Sequence, residues 1–196
     1  MSQVRVRIAP SPTGYFHIGT ARTALFNYLY AKQQGGTFVL RIEDTDKERG
    51  KKEYEDDIYA QMEWLGLSFD EKYVQSEHVG RHKELLKKLV DEDKAYISKE
   101  PRKDDETQTV EVVRLRNPGK VVTFTDVIRG EISFDTTELK DFVLARSIDD
   151  PLYHFAVVVD DGDAGITHVI RGEDHISNTP RQILIQEALG FPRPVY

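Results

Sequence analysis

Residues 7–20 read Arg7-Ile8-Ala9-Pro10-Ser11-Pro12-Thr13-Gly14-Tyr15-Phe16-His17-Ile18-Gly19-Thr20. Upstream, Val4, Val6 and Ile8 alternate as in a short strand. Pro10, Pro12 and Gly14 then stiffen a loop, and the helical spacing of Ile18, Ala21 and Leu25 opens a helix. Strand, stiff loop and helix start together form the common phosphate site of α/β proteins. The unpaired amides and positive dipole end of the helix face the place where an anion sits. The loop also presents Ser11 and His17, with Arg7 behind them on the strand.

Working outward, the helical spacing continues through Tyr28 and Leu29, which predicts a helix from about residue 17 to Gln33 that stops at Gly35-Gly36. Phe38–Ile42 follows as a strand and completes a β-α-β unit, whose crossover is right-handed. This strand delivers Glu43-Asp44-Thr45-Asp46 to its carboxyl end, where open parallel sheets bind ligands. Further helices are expected around Tyr54, Ile58, Met62 and Leu65, and from Gly80 to Asp93. Residues 99–109 are mostly polar and read as a mobile loop or the mouth of an insertion.

Between residues 110 and 146, short β-rich runs are separated by Asn117-Pro118-Gly119 and by Gly130, which predicts an antiparallel patch. Tyr153–Val159 and His168–Ile170 read as strands. Thr179 is placed as N-cap and Pro180 at the first position of a last helix, ending near Gly190. The expected fold is α/β: a Rossmann-like parallel sheet with helices on both faces, split by a small α+β insertion. The expected lobes are 1–95, an inserted 96–146, and 147–196.

Composition narrows the function classes. A chain of 196 residues buries one core, with room for a small second lobe. No apolar run is long enough to span a bilayer, and the N-terminus has no signal-peptide pattern. With no cysteine, disulfides and thiolate metal sites are excluded, and the six scattered histidines lack metal-ligand spacing. A net charge of −7 argues against a general nucleic-acid binder but allows a local RNA grip.

His17 can hydrogen-bond phosphate oxygens or, protonated, offset their charge. Gly19 allows a close backbone approach. Arg7 offers a forked donor that fits a carboxylate. Arg171 sits at the end of the expected 168–170 strand, before Gly172-Glu173-Asp174-His175. No nucleophile–base pair stands out, so positioning chemistry is expected. Taken singly these features have bland readings. A loop histidine usually caps a helix or faces solvent, Pro-Ser-Pro-Thr-Gly is usually a turn, and the acidic string after Ile42 can cap the next helix.

Taken together and in order they are specific. Arg7-Ile-Ala-Pro-Ser-Pro-Thr-Gly, His17-Ile-Gly-Thr, Arg41-Ile-Glu-Asp-Thr-Asp, Tyr153-His-Phe-Ala-Val-Val-Val-Asp-Asp and Val169-Ile-Arg-Gly-Glu-Asp-His closely resemble the catalytic domain of bacterial-type glutamyl-tRNA synthetases, which are class I aminoacyl-tRNA synthetases. His17-Ile18-Gly19-Thr20 looks like the family's "HIGH" signature with threonine in fourth place. The resemblance implies ATP-dependent activation of glutamate to glutamyl-adenylate, then transfer to the 3′ end of tRNA-Glu.

By the same resemblance, Arg7 pairs with the glutamate side-chain carboxylate, with Ala9 and Ser11 lining that pocket. Glu43 holds the α-ammonium, while Tyr153 and Arg171 close the pocket. His17, Gly19, Thr20 and Asp174 contact ATP, with His17 and Gly19 as the catalytic pair. ATP with Mg2+ is implied as substrate, no zinc is expected, and the resemblance points to a cytoplasmic monomer with no membrane contact. The family's Lys-Met-Ser-Lys-Ser signature is absent, so the chain is expected to be an amino-terminal catalytic piece that activates glutamate poorly alone. Alternative readings are the paralogue that glutamylates queuosine on tRNA-Asp, and a non-catalytic RNA- or protein-binding module on the same fold.

Overall fold

The computed structural model describes residues 3–101 and 107–196. β1 (Arg5–Ile8), α1 (Ile18–Gln34) and β2 (Thr37–Ile42) form the β-α-β unit, with β1 and β2 parallel. α2 (Lys52–Trp64) then leads to β3 (Glu71–Val74), which joins β2 in parallel and gives the order β1-β2-β3. This is the parallel Rossmann-like sheet of an α/β fold. β2 is buried along its whole length because it is the central strand with both faces covered.

Alternation divides the side chains between two faces. Val6, Ile8, Phe38, Leu40 and Ile42 pack with Ala24 and Ala31 of α1 and with Ile58 and Met62 of α2. The opposite face carries Val39 against Ile166 and Val169. Arg7 lies opposite Val39 in the β1–β2 register, and Arg41 is two residues further along β2. Both arginines therefore belong to this second face. The turn between α1 and β2 needs its two glycines. Gly35 caps α1 in the left-handed region, at φ 57°. A Cβ on Gly36 would lie 2.4 Å from the Val4 carbonyl oxygen.

The outer edge of β1 is closed differently from the expectation. Thr167 and His168 donate their N–H groups to Arg5 O at 2.9 and 3.2 Å, but Arg5 N–H donates to the Thr167 side-chain oxygen at 2.8 Å. A hydroxyl thus replaces a backbone partner and the ladder cannot continue. Instead of a strand over 168–170, there is a single parallel bridge from His168 to Val195.

The chain divides into two compact units. The first comprises Met1–His78, Ala164–Asp174 and Pro194–Tyr196, and the second Val79–Asp163 and His175–Arg193. These boundaries follow a different partition from the lobes read in the sequence. The second unit contains α3 (Val79–Asp91), β4 (Ala95–Pro101), β5 (Thr109–Leu115), β6 (Val121–Asp126), β7 (Gly130–Asp135), β8 (Val143–Ser147), β9 (Asp150–Pro151), α4 (Tyr153–Asp163) and α5 (Thr179–Leu189). Its strands form an antiparallel sheet, β4-β5-β8-β9, and a separate β6-β7 hairpin.

Several local readings are corrected. Tyr153–Val159 is not a strand but the start of α4, an 11-residue helix. Its β-branched run is strand-like by propensity, yet residues 155–161 are all buried, and contacts with α3 and α5 decide the conformation. Lys99–Pro101 and Thr109 belong to β4 and β5 rather than to a loop, while residues 102–106 lie outside the described residues. Asn178, with no side-chain cap bond, occupies the N-cap position of α5, so Thr179 is its first residue. Among the described residues, no helix is long and apolar enough to cross a membrane.

Candidate active site

The first unit positions most of the chemistry. Arg7 is only 5% exposed, although it carries a full charge at the carboxyl half of β1. The following loop is fixed by its backbone. Pro10 O accepts from Glu43 N–H at 3.0 Å, Pro12 O from Lys51 N–H at 3.1 Å, and Asp57 takes the Phe16 N–H at 2.8 Å. Tyr15 meets Tyr54 edge-on, with ring centroids 5.0 Å apart. Ala9 is half-buried and Ser11 is exposed, so this loop presents its polar surface from a rigid frame.

His17 is the N-cap of α1. Its Nδ1 accepts from Gly19 N–H at 3.2 Å, and its Nε2 lies 3.2 Å from the Thr20 hydroxyl. With Nδ1 accepting, the ring hydrogen sits on Nε2, which donates toward Thr20 Oγ1. The imidazole thus caps α1 and holds an N–H donor at the helix start. The first turn of α1 contains no acidic residue, which leaves its positive end available to an anion. A Cβ on Gly19 would stand 3.1 Å from His17 Cε1 and Nδ1. The glycine therefore makes room first of all for the imidazole.

At the end of β2, Glu43 is 9% exposed and Arg41 2%. Arg41 donates from Nε and Nη2 to the same carboxylate oxygen, Glu43 Oε1, at 3.3 and 3.1 Å. The remaining acids of this string work locally. Asp44 accepts from Ser76 N–H and from the Ser76 hydroxyl, at 2.9 and 2.6 Å. Asp46 accepts from the Arg49 backbone and guanidinium, and these bonds hold its carboxyl below the ordinary carboxylate range. Neither acid caps the next helix, since α2 starts after Lys51 with no side-chain cap bond, and Glu43 stands apart as the buried acid.

Arg171 is half-buried beside Tyr196, its guanidinium carbon 5.9 Å from the ring centroid. It follows the single bridge rather than a strand, and α1 holds this segment in place. Asn27, fully buried, donates to Ile170 O at 3.0 Å and to Thr23 O at 2.9 Å. Asp174 is exposed in the short 3-10 helix Glu173–Asn178.

Arg7, Ala9, Ser11, His17, Gly19, Thr20, Glu43, Arg171 and Asp174 thus share one unit. Tyr153 belongs to the other, where it opens α4 with its hydroxyl 3.5 Å from His175 Nδ1. Arg41 and Asn27 are the residues that sequence reasoning passed over. Arg41 had a visible signal, a charged residue inside an otherwise apolar strand. Among the described residues, no group of three or more His, Cys, Asp or Glu side chains is placed to hold a metal ion.

The family model described as tRNA synthetases class I (E and Q), catalytic domain, matches residues 3–107 and 97–196. The chain belongs to this family. Among its relatives, glutamate–tRNA ligase of Geobacter sulfurreducens is 50% identical over 222 residues, covering 99% of this chain and 48% of that protein. The Hydrogenobaculum ligase is 46% identical over 226 residues, covering 98% and 49%. A crystal structure of a glutamate tRNA ligase from Elizabethkingia meningosepticum, in complex with its amino acid, superimposes with a TM-score of 0.89 at 32% identity, over 99% of this chain and 48% of that one. This synthetase domain therefore spans about half the length of the curated relatives it matches.

Proposed function

We propose that this catalytic domain activates glutamate with ATP. The α-carboxylate of glutamate attacks the α-phosphorus, the bond to the β-phosphate breaks, and pyrophosphate leaves. A ribose hydroxyl at the 3′ end of tRNA-Glu then attacks the glutamyl carbonyl and releases AMP. ATP enters with Mg2+ as its counterion. The supporting observation is the buried Arg7 guanidinium in the same unit as the buried Glu43 carboxylate, with backbone held by Pro10. Arg7 is suited to the side-chain carboxylate and Glu43 to the ammonium. The neutral amide of glutamine offers the guanidinium no negative charge to pair with, which disfavours it relative to glutamate.

The helix start supplies the phosphate half. His17 donates from Nε2, exchanging the Thr20 hydroxyl for a phosphate oxygen, while the α1 amides face the remaining negative charge. Arg171 and Asp174 complete this reading as substrate- and nucleotide-contacting residues. The work is positioning and charge stabilisation, with no covalent enzyme intermediate.

The test is calorimetric binding of a non-hydrolysable glutamyl-adenylate analogue and its glutaminyl counterpart. The expected result is saturable binding that prefers the glutamyl compound, with the preference lost in Arg7→Gln. Failure of the chain to bind either compound overturns the reading.

A further inference from the structure

The Arg41–Glu43 pair poses a physical question. A buried ion pair contributes little net stability, because desolvation of both charges offsets their attraction, and well-packed apolar side chains often do as well. Residue 41 lies inside a strand whose neighbours Leu40 and Ile42 are fully buried. This position holds a guanidinium that is only 2% exposed. The pairing is also specific in shape. Two guanidinium nitrogens converge on one oxygen of Glu43, and the Glu43 backbone is tied through its N–H to Pro10 O. The carboxylate is thereby fixed at both ends, by Arg41 on the side chain and by the Arg7 loop on the main chain.

We propose that Arg41 is the positioning residue for recognition of the substrate ammonium: it holds the Glu43 carboxylate in one orientation, ready to accept N–H bonds. The inference rests on the reading of Glu43 given above. Its physical basis is that a carboxylate has two oxygens with about four acceptor sites. A fork that converges on Oε1 fixes the rotamer, and with it the direction in which the acceptor sites point. A lysine ammonium is a point charge on a flexible stem and cannot impose that geometry. Arg41 thus acts through Glu43 and does not itself touch the substrate.

The experiment compares two ligands that differ only in the ammonium, a glutamyl-adenylate analogue and its desamino, glutaryl counterpart. Dissociation constants are measured for the wild-type chain, Arg41→Lys, Arg41→Met and Glu43→Gln. The wild type is expected to prefer the amino compound, and Arg41→Met to lose about tenfold of that preference, the size of one charge-assisted hydrogen bond. Arg41→Lys should fall between the two. In the Arg41→Met/Glu43→Gln double variant the losses should not add, because both act through one carboxylate.

A packing role for Arg41 would weaken both ligands equally. A preference unchanged in Arg41→Met and Arg41→Lys therefore overturns the inference while leaving the amino-acid site intact. A wild type that binds both compounds with equal affinity overturns the reading of Glu43, and the inference with it. Should Arg41→Met fail to fold, Arg41→Lys keeps charge and length, and its preference ratio decides the matter.

Discussion

His82 of α3 and Asp160 of α4 meet with both side chains at zero exposure, His82 Nε2 standing 2.6 Å from Asp160 Oδ1. His82 Nδ1 is buried with no hydrogen-bond partner, so the whole polar purpose of this imidazole is directed at one carboxylate. The pair joins two helices far apart in sequence inside the second unit. His82→Ala removes this buried bond and opens a cavity, and should destabilise by about 3 kcal/mol. His82→Gln can still present a donor and should lose less than half of that. Urea midpoints with an unchanged m value would establish both.

Gly36 provides a steric test of the first unit. A Cβ there meets backbone, the Val4 carbonyl at 2.4 Å, and has no flexible side chain to push aside. Gly36→Ala should therefore cost about 1–3 kcal/mol by forcing α1 and β1 apart. Gly14→Ala, where nothing lies within 4 Å, is the control and should leave the thermal midpoint nearly unchanged.

Gly19→Ala should separate stability from ligand binding. Alanine is the better helix former by about 0.5–1 kcal/mol, so the unfolding midpoint should hold or rise. Its methyl group presses on the His17 ring at 3.1 Å and turns the Nε2 donor away. ATP affinity, measured by equilibrium dialysis, should fall severalfold. Equal ATP affinity in the two proteins would contradict the proposed place of His17.

His168 supplies a pH dependence. It packs against Tyr30, with ring centroids 5.2 Å apart, and its Nδ1 lies 2.8 Å from the Thr167 hydroxyl. Burial pushes its pKa below the ordinary 6.5. Between the lowered value and 6.5 the unfolded chain binds more protons than the folded one. Its contribution is thus fully present above 6.5 and is lost as pH falls below that. The thermal midpoint should drop on acidification from pH 7 to pH 5, and His168→Phe should flatten that part of the profile.

The opening β-α-β unit was legible because local signals agreed there: strand alternation, two prolines, a capping histidine, helical spacing and paired glycines. α4 was not, since Phe155–Val159 is strand-like in isolation and only its burial against α3 and α5 makes it helical. The segment after Ile166 misled for a different reason. Thr167 satisfies Arg5 N–H through its side chain, a choice that no periodicity announces. At the site, Arg7, His17 and Glu43 could be singled out by motif. The Arg41–Glu43 bond could not, because residues two apart on a strand share a face whether that face is buried or open.

The seam between Arg5 and Thr167 spans 162 residues of chain. On a ribosome, β1 can pair with β2 as soon as Ile42 has emerged, but its outer edge stays bare until residues 164–174 follow. An uncovered strand edge is a template for pairing with other chains. Closing it across so long a stretch of chain is a slow, long-range step. The same hydroxyl that meets the Arg5 N–H in the folded unit thus serves, during synthesis, as a stitch that takes an adhesive edge out of circulation.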